Sequence, residues 1–71
     1  MKIEELSRSE ISFLIDEWIF SERDRAMLKR RLLDGIKFET LAEEFDLSVR
    51  QTKNIIYKAN DKLLKAIRRL H

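Results

Sequence analysis

Apolar side chains recur along this chain at spacings of three and four and never settle into sustained alternation, so the pattern predicts helices throughout. With no proline and a single glycine, the helix limits must be read from capping residues. The first start signal is Leu6-Ser7-Arg8-Ser9-Glu10-Ile11. There Ser7 caps, Glu10 closes a capping box from three residues on, and Leu6 staples to Ile11. A helix over about 8–19 then places Ile11, Leu14, Ile15, Trp18 and Ile19 on one face and Phe13 on the opposite one. Ser21 opens a second helix over about 22–34, with Glu22 and Asp24 at its positive end and Met27, Leu28, Leu32 and Leu33 turned inward. Gly35 follows Asp34 and suits the left-handed backbone of a helix stop.

A short third helix, about 38–45, turns Leu41, Ala42 and Phe45 inward and Glu39, Glu43 and Glu44 outward. It stops at Asp46, a residue type that tolerates left-handed backbone better than most. Leu47 plugs the turn, and Ser48 with Gln51 forms another capping box at the start of a fourth helix over about 49–69. On that helix Val49, Thr52, Ile56, Ala59, Leu63, Ile67 and Leu70 form the apolar face. Arg50, Gln51, Asn54, Lys58, Lys65, Arg68 and Arg69 occupy the other side, and Tyr57 lies at the border. The expected fold is all-α: a compact four-helix domain over residues 1–71 with a C-terminal helix-turn-helix, and with Trp18, Met27 and Phe38 in its core.

Charge changes the picture. The formal net charge is only +2, but residues 1–46 hold 8 basic and 12 acidic side chains while residues 47–71 hold 7 basic and one acidic, Asp61. Exposed helices usually mix both signs for i, i+4 pairing, so a near-uniform basic face on the fourth helix points to a polyanion such as nucleic acid. Lys58, Lys65, Arg68 and Arg69 have a second reading as the solvated side of an amphipathic helix. Lys29, Arg30 and Arg31 equally suit a helix C-terminus or a phosphate contact.

Composition also narrows the chemistry. There is no cysteine, and the one histidine is His71, so histidine-dependent nucleophilic catalysis, thiolate chemistry and a zinc site have no residues to use. A chain of 71 residues leaves little room for a pocket that would tune a carboxylate as a general acid. No catalytic residue, metal or cofactor is expected. No apolar run approaches the roughly 18 residues of a membrane span, and the N-terminus lacks a secretory pattern. The expected location is the cytoplasm, without a membrane partner.

Two helices joined by a tight turn, a small residue (Ala42) inside the first, a plug (Leu47) in the turn and a basic face on the second form the pattern of a DNA-binding helix-turn-helix. The stretch SERDRAMLKRRLL from Ser21, continuing DGIKFETLAEEFDLSVRQTKNIIYKANDKL, resembles the fourth region of bacterial sigma factors and the small phage regulators that share its fold. The resemblance spans about residues 20–64. It rests on Glu22-Arg23-Asp24-Arg25, Leu33-Asp34-Gly35-Ile36, Leu41-Ala42-Glu43-Glu44-Phe45, Leu47-Ser48-Val49 and Lys53, with Ala59 and Leu63. Lys37 and Asp46 depart from the family, which often has a small or hydroxyl residue at the first position and commonly a glycine at the second.

The resemblance implies a recognition helix in the major groove, with Arg50, Gln51 and Asn54 facing bases and Lys53, Tyr57 and Lys58 flanking them toward phosphate. The preceding helix would cross the backbone, bringing Lys37 and Thr40 to phosphate. Gln51 has a competing role as the capping partner of Ser48. A chain this short has no second promoter-reading domain, so the expectation is a free-standing transcription regulator of a bacterium or phage. Its expected partners are double-stranded DNA, RNA polymerase and a second copy in a homodimer. Phe13 and Trp18, together with an apolar tail of Leu63, Leu64, Ile67 and Leu70, are the candidate partner contacts. The alternatives are a helical module that binds a protein such as RNA polymerase through its basic face, and a DNA-packaging adaptor.

Overall fold

A computed structural model describes residues 5–69, which form four helices: α1 (Arg8–Trp18), α2 (Glu22–Leu33), α3 (Phe38–Glu44) and α4 (Val49–Arg69). Each begins where the capping pattern places it. Ser7 accepts from the Glu10 amide at 3.2 Å and its own amide donates to Glu10 Oε1 at 3.1 Å. Ser21 accepts from the Asp24 amide at 3.3 Å, and Ser48 and Gln51 exchange bonds of 3.0 and 3.1 Å. These bonds satisfy donors that a helix start otherwise leaves unpaired. Helix 3 lacks one, because Lys37 stands at its N-cap and offers no side-chain acceptor. The first three helices each stop one residue earlier than the periodicity alone suggests, with Ile19, Asp34 and Phe45 as C-caps.

The stops after α2 and α3 use left-handed backbone at Gly35 (φ 66) and Asp46 (φ 55). At the second, the Leu47 amide donates to Ala42 O at 2.9 Å and the Asp46 amide to Glu43 O at 3.3 Å, the paired bonds of a Schellman motif. Asp46 holds this conformation with a Cβ that glycine would lack. We therefore expect Asp46→Gly to raise stability by about 0.5–1 kcal/mol, the strain relieved less the added unfolded-chain entropy. A Cβ at Gly35 would meet nothing within 4 Å, so Gly35→Ala should lose about 1 kcal/mol through backbone strain alone. Paired thermal melts would show opposite shifts, and a loss on Asp46→Gly would refute the strain account.

The core gathers Ile11, Leu14, Ile15 and Ile19 from α1 and its C-cap, Met27 and Leu28 from α2, Leu41 from α3, and Ile56, Ala59, Leu63 and Ile67 from α4. Helix 4 packs on all three others, and α2 bridges α1 and α3. At 1.5 Å per residue its 21 residues span about 31 Å, most of the 36 Å long axis of the molecule. Trp18, Phe38, Phe45 and Leu47 pack against this core while half-buried, so Trp18, Phe38 and Phe45 are shallower than the helical pattern predicts. The buried hydroxyl of Thr52 donates to Ser48 O at 2.9 Å, which satisfies the one polar side chain in the apolar stripe. Leu70 lies outside the described residues.

Ile67 is buried, at 2% exposure. Its place on the apolar stripe of α4 wins over its expected role as a partner contact, and the same holds for Leu63 at 0%. Leu64, one position off the stripe, is half-buried. No helix among the described residues is long and apolar enough to cross a membrane.

Candidate nucleic-acid interface

Helix 3 and helix 4 pack against each other across the short turn at residues 45–48. Ala42 is buried, which lets the helices approach, and Leu47 closes the turn against the core. The capping box at Ser48 fixes where α4 begins, so Arg50 and Gln51 stand on its first turn and Asn54 one turn later, all three exposed. Lys58 follows one further turn on, also exposed, and the four positions run along the solvent side of α4 opposite Thr52, Ile56, Ala59 and Leu63.

The flank of this row next to α3 is built around Phe38. Its ring meets Tyr57 edge-on, with centroids 6.0 Å apart. The Arg31 guanidinium lies 4.2 Å and the Lys53 ammonium 5.7 Å from the Phe38 ring centroid. These cation–π contacts restrain two cations beside the row, and Arg31 is further held by donation to Ile36 O at 3.0 Å. Tyr57 remains 59% exposed, so its hydroxyl reaches solvent while its ring packs. Lys37 at the N-cap of α3 and Thr40 on its first turn are exposed, and no side-chain hydrogen bond engages either among the described residues. The helical pattern placed Phe38 in the core and gave no sign of its role as a platform for Arg31 and Lys53, because that role depends on α2, α3 and α4 meeting at one point.

Gln51 is engaged in the free protein. Its Oε1 accepts from the Ser48 amide at 3.0 Å, so the capping reading is realised, and its amide nitrogen retains two donors for another partner.

The charged groups divide sharply between the scaffold and α4. Lys29 pairs with Asp16 at 2.7 Å, Arg23 with Asp24 at 3.3 Å and Arg8 with Asp34 at 3.4 Å. Arg30 binds Glu44 through two nitrogens and Asp34 through a third contact. The hydrogen bond to Glu44 leads the causes that raise the Arg30 pKa above its ordinary value, against a desolvation effect that lowers it. Arg25 donates to Ile19 O and Phe20 O at 3.2 and 3.4 Å. Lys29 and Arg30 are thus tied to carboxylates and Arg31 to Phe38 and Ile36 O, while all three stay partly exposed. On α4 only Lys65 has an acidic partner, Asp61 at 3.0 Å. Among the described residues Arg50, Lys53, Lys58, Lys62, Arg68 and Arg69 have none.

Of the candidate partner contacts, Phe13 is 62% exposed on the outer face of α1 and lines a shallow groove with Arg8, Ser12 and Leu33. Trp18 is half-buried beside Ala66 and the stems of Lys62, Lys65 and Arg69. Phe20, between α1 and α2, is 83% exposed; the helical pattern did not single it out, because it lies past the end of the first helix.

No family model, no curated protein and no solved structure matches the chain.

Proposed function

We propose that this protein binds double-stranded DNA sequence-specifically, with α3 and α4 acting as a helix-turn-helix and α4 lying in the major groove, and that it regulates transcription in a bacterium or phage. The observation that carries the reading is the division of charge. Each cation on α1 and α2 engages a carboxylate or a backbone carbonyl, whereas among the described residues Arg50 and Lys58 on α4 engage neither and Lys53 meets only the Phe38 ring. A surface that leaves its cations unpaired in a chain with 13 acidic side chains is matched to an external polyanion.

Arg50 and Asn54 carry base recognition in this reading. Arginine offers a bidentate fork to guanine O6 and N7, and asparagine pairs with adenine N6 and N7. Gln51 adds its free amide nitrogen while its oxygen holds the cap. Lys37, Thr40, Lys53, Tyr57 and Lys58 position the helix through phosphates, which sets register without reading sequence. A module of this size makes few contacts, so a second copy or RNA polymerase would supply the remaining affinity.

Selection of bound fragments from random duplex DNA tests the proposal. Recovery of one motif is expected. On that motif Arg50→Ala and Asn54→Ala should each cost about 1–3 kcal/mol and relax preference at one position, while Lys58→Ala should weaken all sequences alike. Unchanged preference in Arg50→Ala would remove the base-reading role. A second reading, a protein-binding module, is favoured by Phe13 and Phe20, which expose two aromatic rings away from the core. Absence of any enriched duplex at low salt would turn the balance to it.

A further inference from the structure

A cleft of ≈350 Å³ opens between the first turn of α2 and the middle of α4, with Ile19, Ile55 and Ala59 as its floor and Arg23, Lys58 and Lys62 at its rim. Lys58 belongs both to this cleft and to the solvent row that begins at Arg50, so the cleft borders the proposed recognition face. It lies on the flank of α4 opposite the one that meets α3, where Lys53 and Tyr57 stand beside Phe38. An α-helix with its side chains is about 10–12 Å across and the major groove is about 12 Å wide, so a helix seated there meets a sugar-phosphate backbone on each flank.

We infer that this cleft seats a backbone phosphate of the second DNA strand, held by Arg23, Lys58 and Lys62. The inference rests on the DNA-binding reading and adds to it the strand that the α3 side does not reach. Lys58 and Lys62 lie one helical turn apart on the same side and have no acidic partner among the described residues. Arg23 uses its Nε on Asp24 at 3.3 Å, which leaves the other guanidinium donors for phosphate. Asp24, which also lines the cleft, is the one carboxylate there and opposes an anion, so the site stands at three cations to one acid. The amide dipole of α2 points its positive end toward the same place. The footprint on α4 then reaches Lys62, one residue past Asp61, whose carboxylate pairs with Lys65.

The test titrates the selected duplex against the wild-type chain and against Arg23→Ala, Lys62→Ala and Asp24→Asn, with Lys65→Ala as a control for nonspecific charge loss. Each lost cation should weaken binding about fivefold to tenfold at 0.1 M salt or below and reduce the slope of log affinity against log salt by about one, without altering sequence preference. Lys65→Ala should change affinity less than twofold, and Asp24→Asn should tighten binding, a gain that misfolding cannot mimic. A duplex carrying one neutral methylphosphonate at the contacted phosphate should lose affinity for the wild-type chain but not for Lys62→Ala. Unchanged affinity and slope for Lys62→Ala and Asp24→Asn, alongside the loss expected for Arg50→Ala, would overturn the cleft and leave the recognition helix standing. A wild-type chain that binds no duplex at low salt would overturn both.

Discussion

Leu63→Ala should destabilise the protein by about 3–5 kcal/mol, whereas Leu64→Ala, the next residue, should cost about 1 kcal/mol or less. Leu63 is completely enclosed in the cluster that joins α1, α2, α3 and α4. Removing its isobutyl group sacrifices both the transfer free energy of the buried atoms and the contacts around the cavity left behind, and leucine-to-alanine changes at such sites cost about 2–5 kcal/mol. Leu64 points 100° away around the helix and is half-buried. A domain this small has a total stability of roughly 4–10 kcal/mol, so the first substitution removes much of it. Urea titrations should show a large drop in midpoint for Leu63→Ala and a small one for Leu64→Ala; equal drops would mean that the helical phase of α4 is wrong. Because α4 also carries the proposed reading surface, Leu63→Ala should lose DNA binding together with its folded population, whereas Arg50→Ala should lose it while remaining folded.

Local chemistry made much of this fold legible. Ser7, Ser21 and Ser48 announce helix starts because a capping hydroxyl acts within three residues of itself, and all four helices begin at the positions the pattern gives. Gly35 and Asp46 take the left-handed backbone for which their residue types were suited. The apolar stripe of α4 placed Thr52, Ile56, Ala59, Leu63 and Ile67 correctly because one face of a long helix determines its own burial. Treating Ile67 as a partner contact as well conflicted with that stripe, and the stripe prevailed.

What could not be read depends on which helices meet. Nothing local says that Lys29 reaches Asp16 on α1 or that Arg30 reaches Glu44 on α3, so those cations looked like an ordinary helix end. Phe38 looked like a core residue, yet it holds Arg31, Lys53 and Tyr57 around its ring. The cleft that brings Arg23 beside Lys58 and Lys62 likewise joins residues more than thirty positions apart in sequence. Helical phase alone does not bring Lys62 into a site, because the second wall of the cleft comes from another helix.

The steepest functional dependence should be on salt. In the proposed complex Lys37, Lys53 and Lys58 meet phosphates, joined by Arg23 and Lys62 at the cleft, and each phosphate neutralised releases condensed counterions with a slope near −0.9 in log affinity against log salt. Three to five such contacts predict a loss of roughly 40- to 500-fold between about 50 and 200 mM monovalent salt. The size of the loss is set by cations that are unpaired before DNA arrives. Arg30 is already clasped by Glu44 and Asp34, so Arg30→Ala should leave the slope unchanged even if it weakens the α2–α3 contact and lowers stability. Lys58→Ala should lower the slope by about one with little effect on the melting temperature, since the side chain is exposed and has no acidic partner. Reversal of this pattern, with Arg30 governing the slope and Lys58 silent, would place the polyanion on the scaffold helices instead of α4. A wild-type slope near zero with affinity retained would show that the partner is recognised without phosphate, as an apolar protein surface would be.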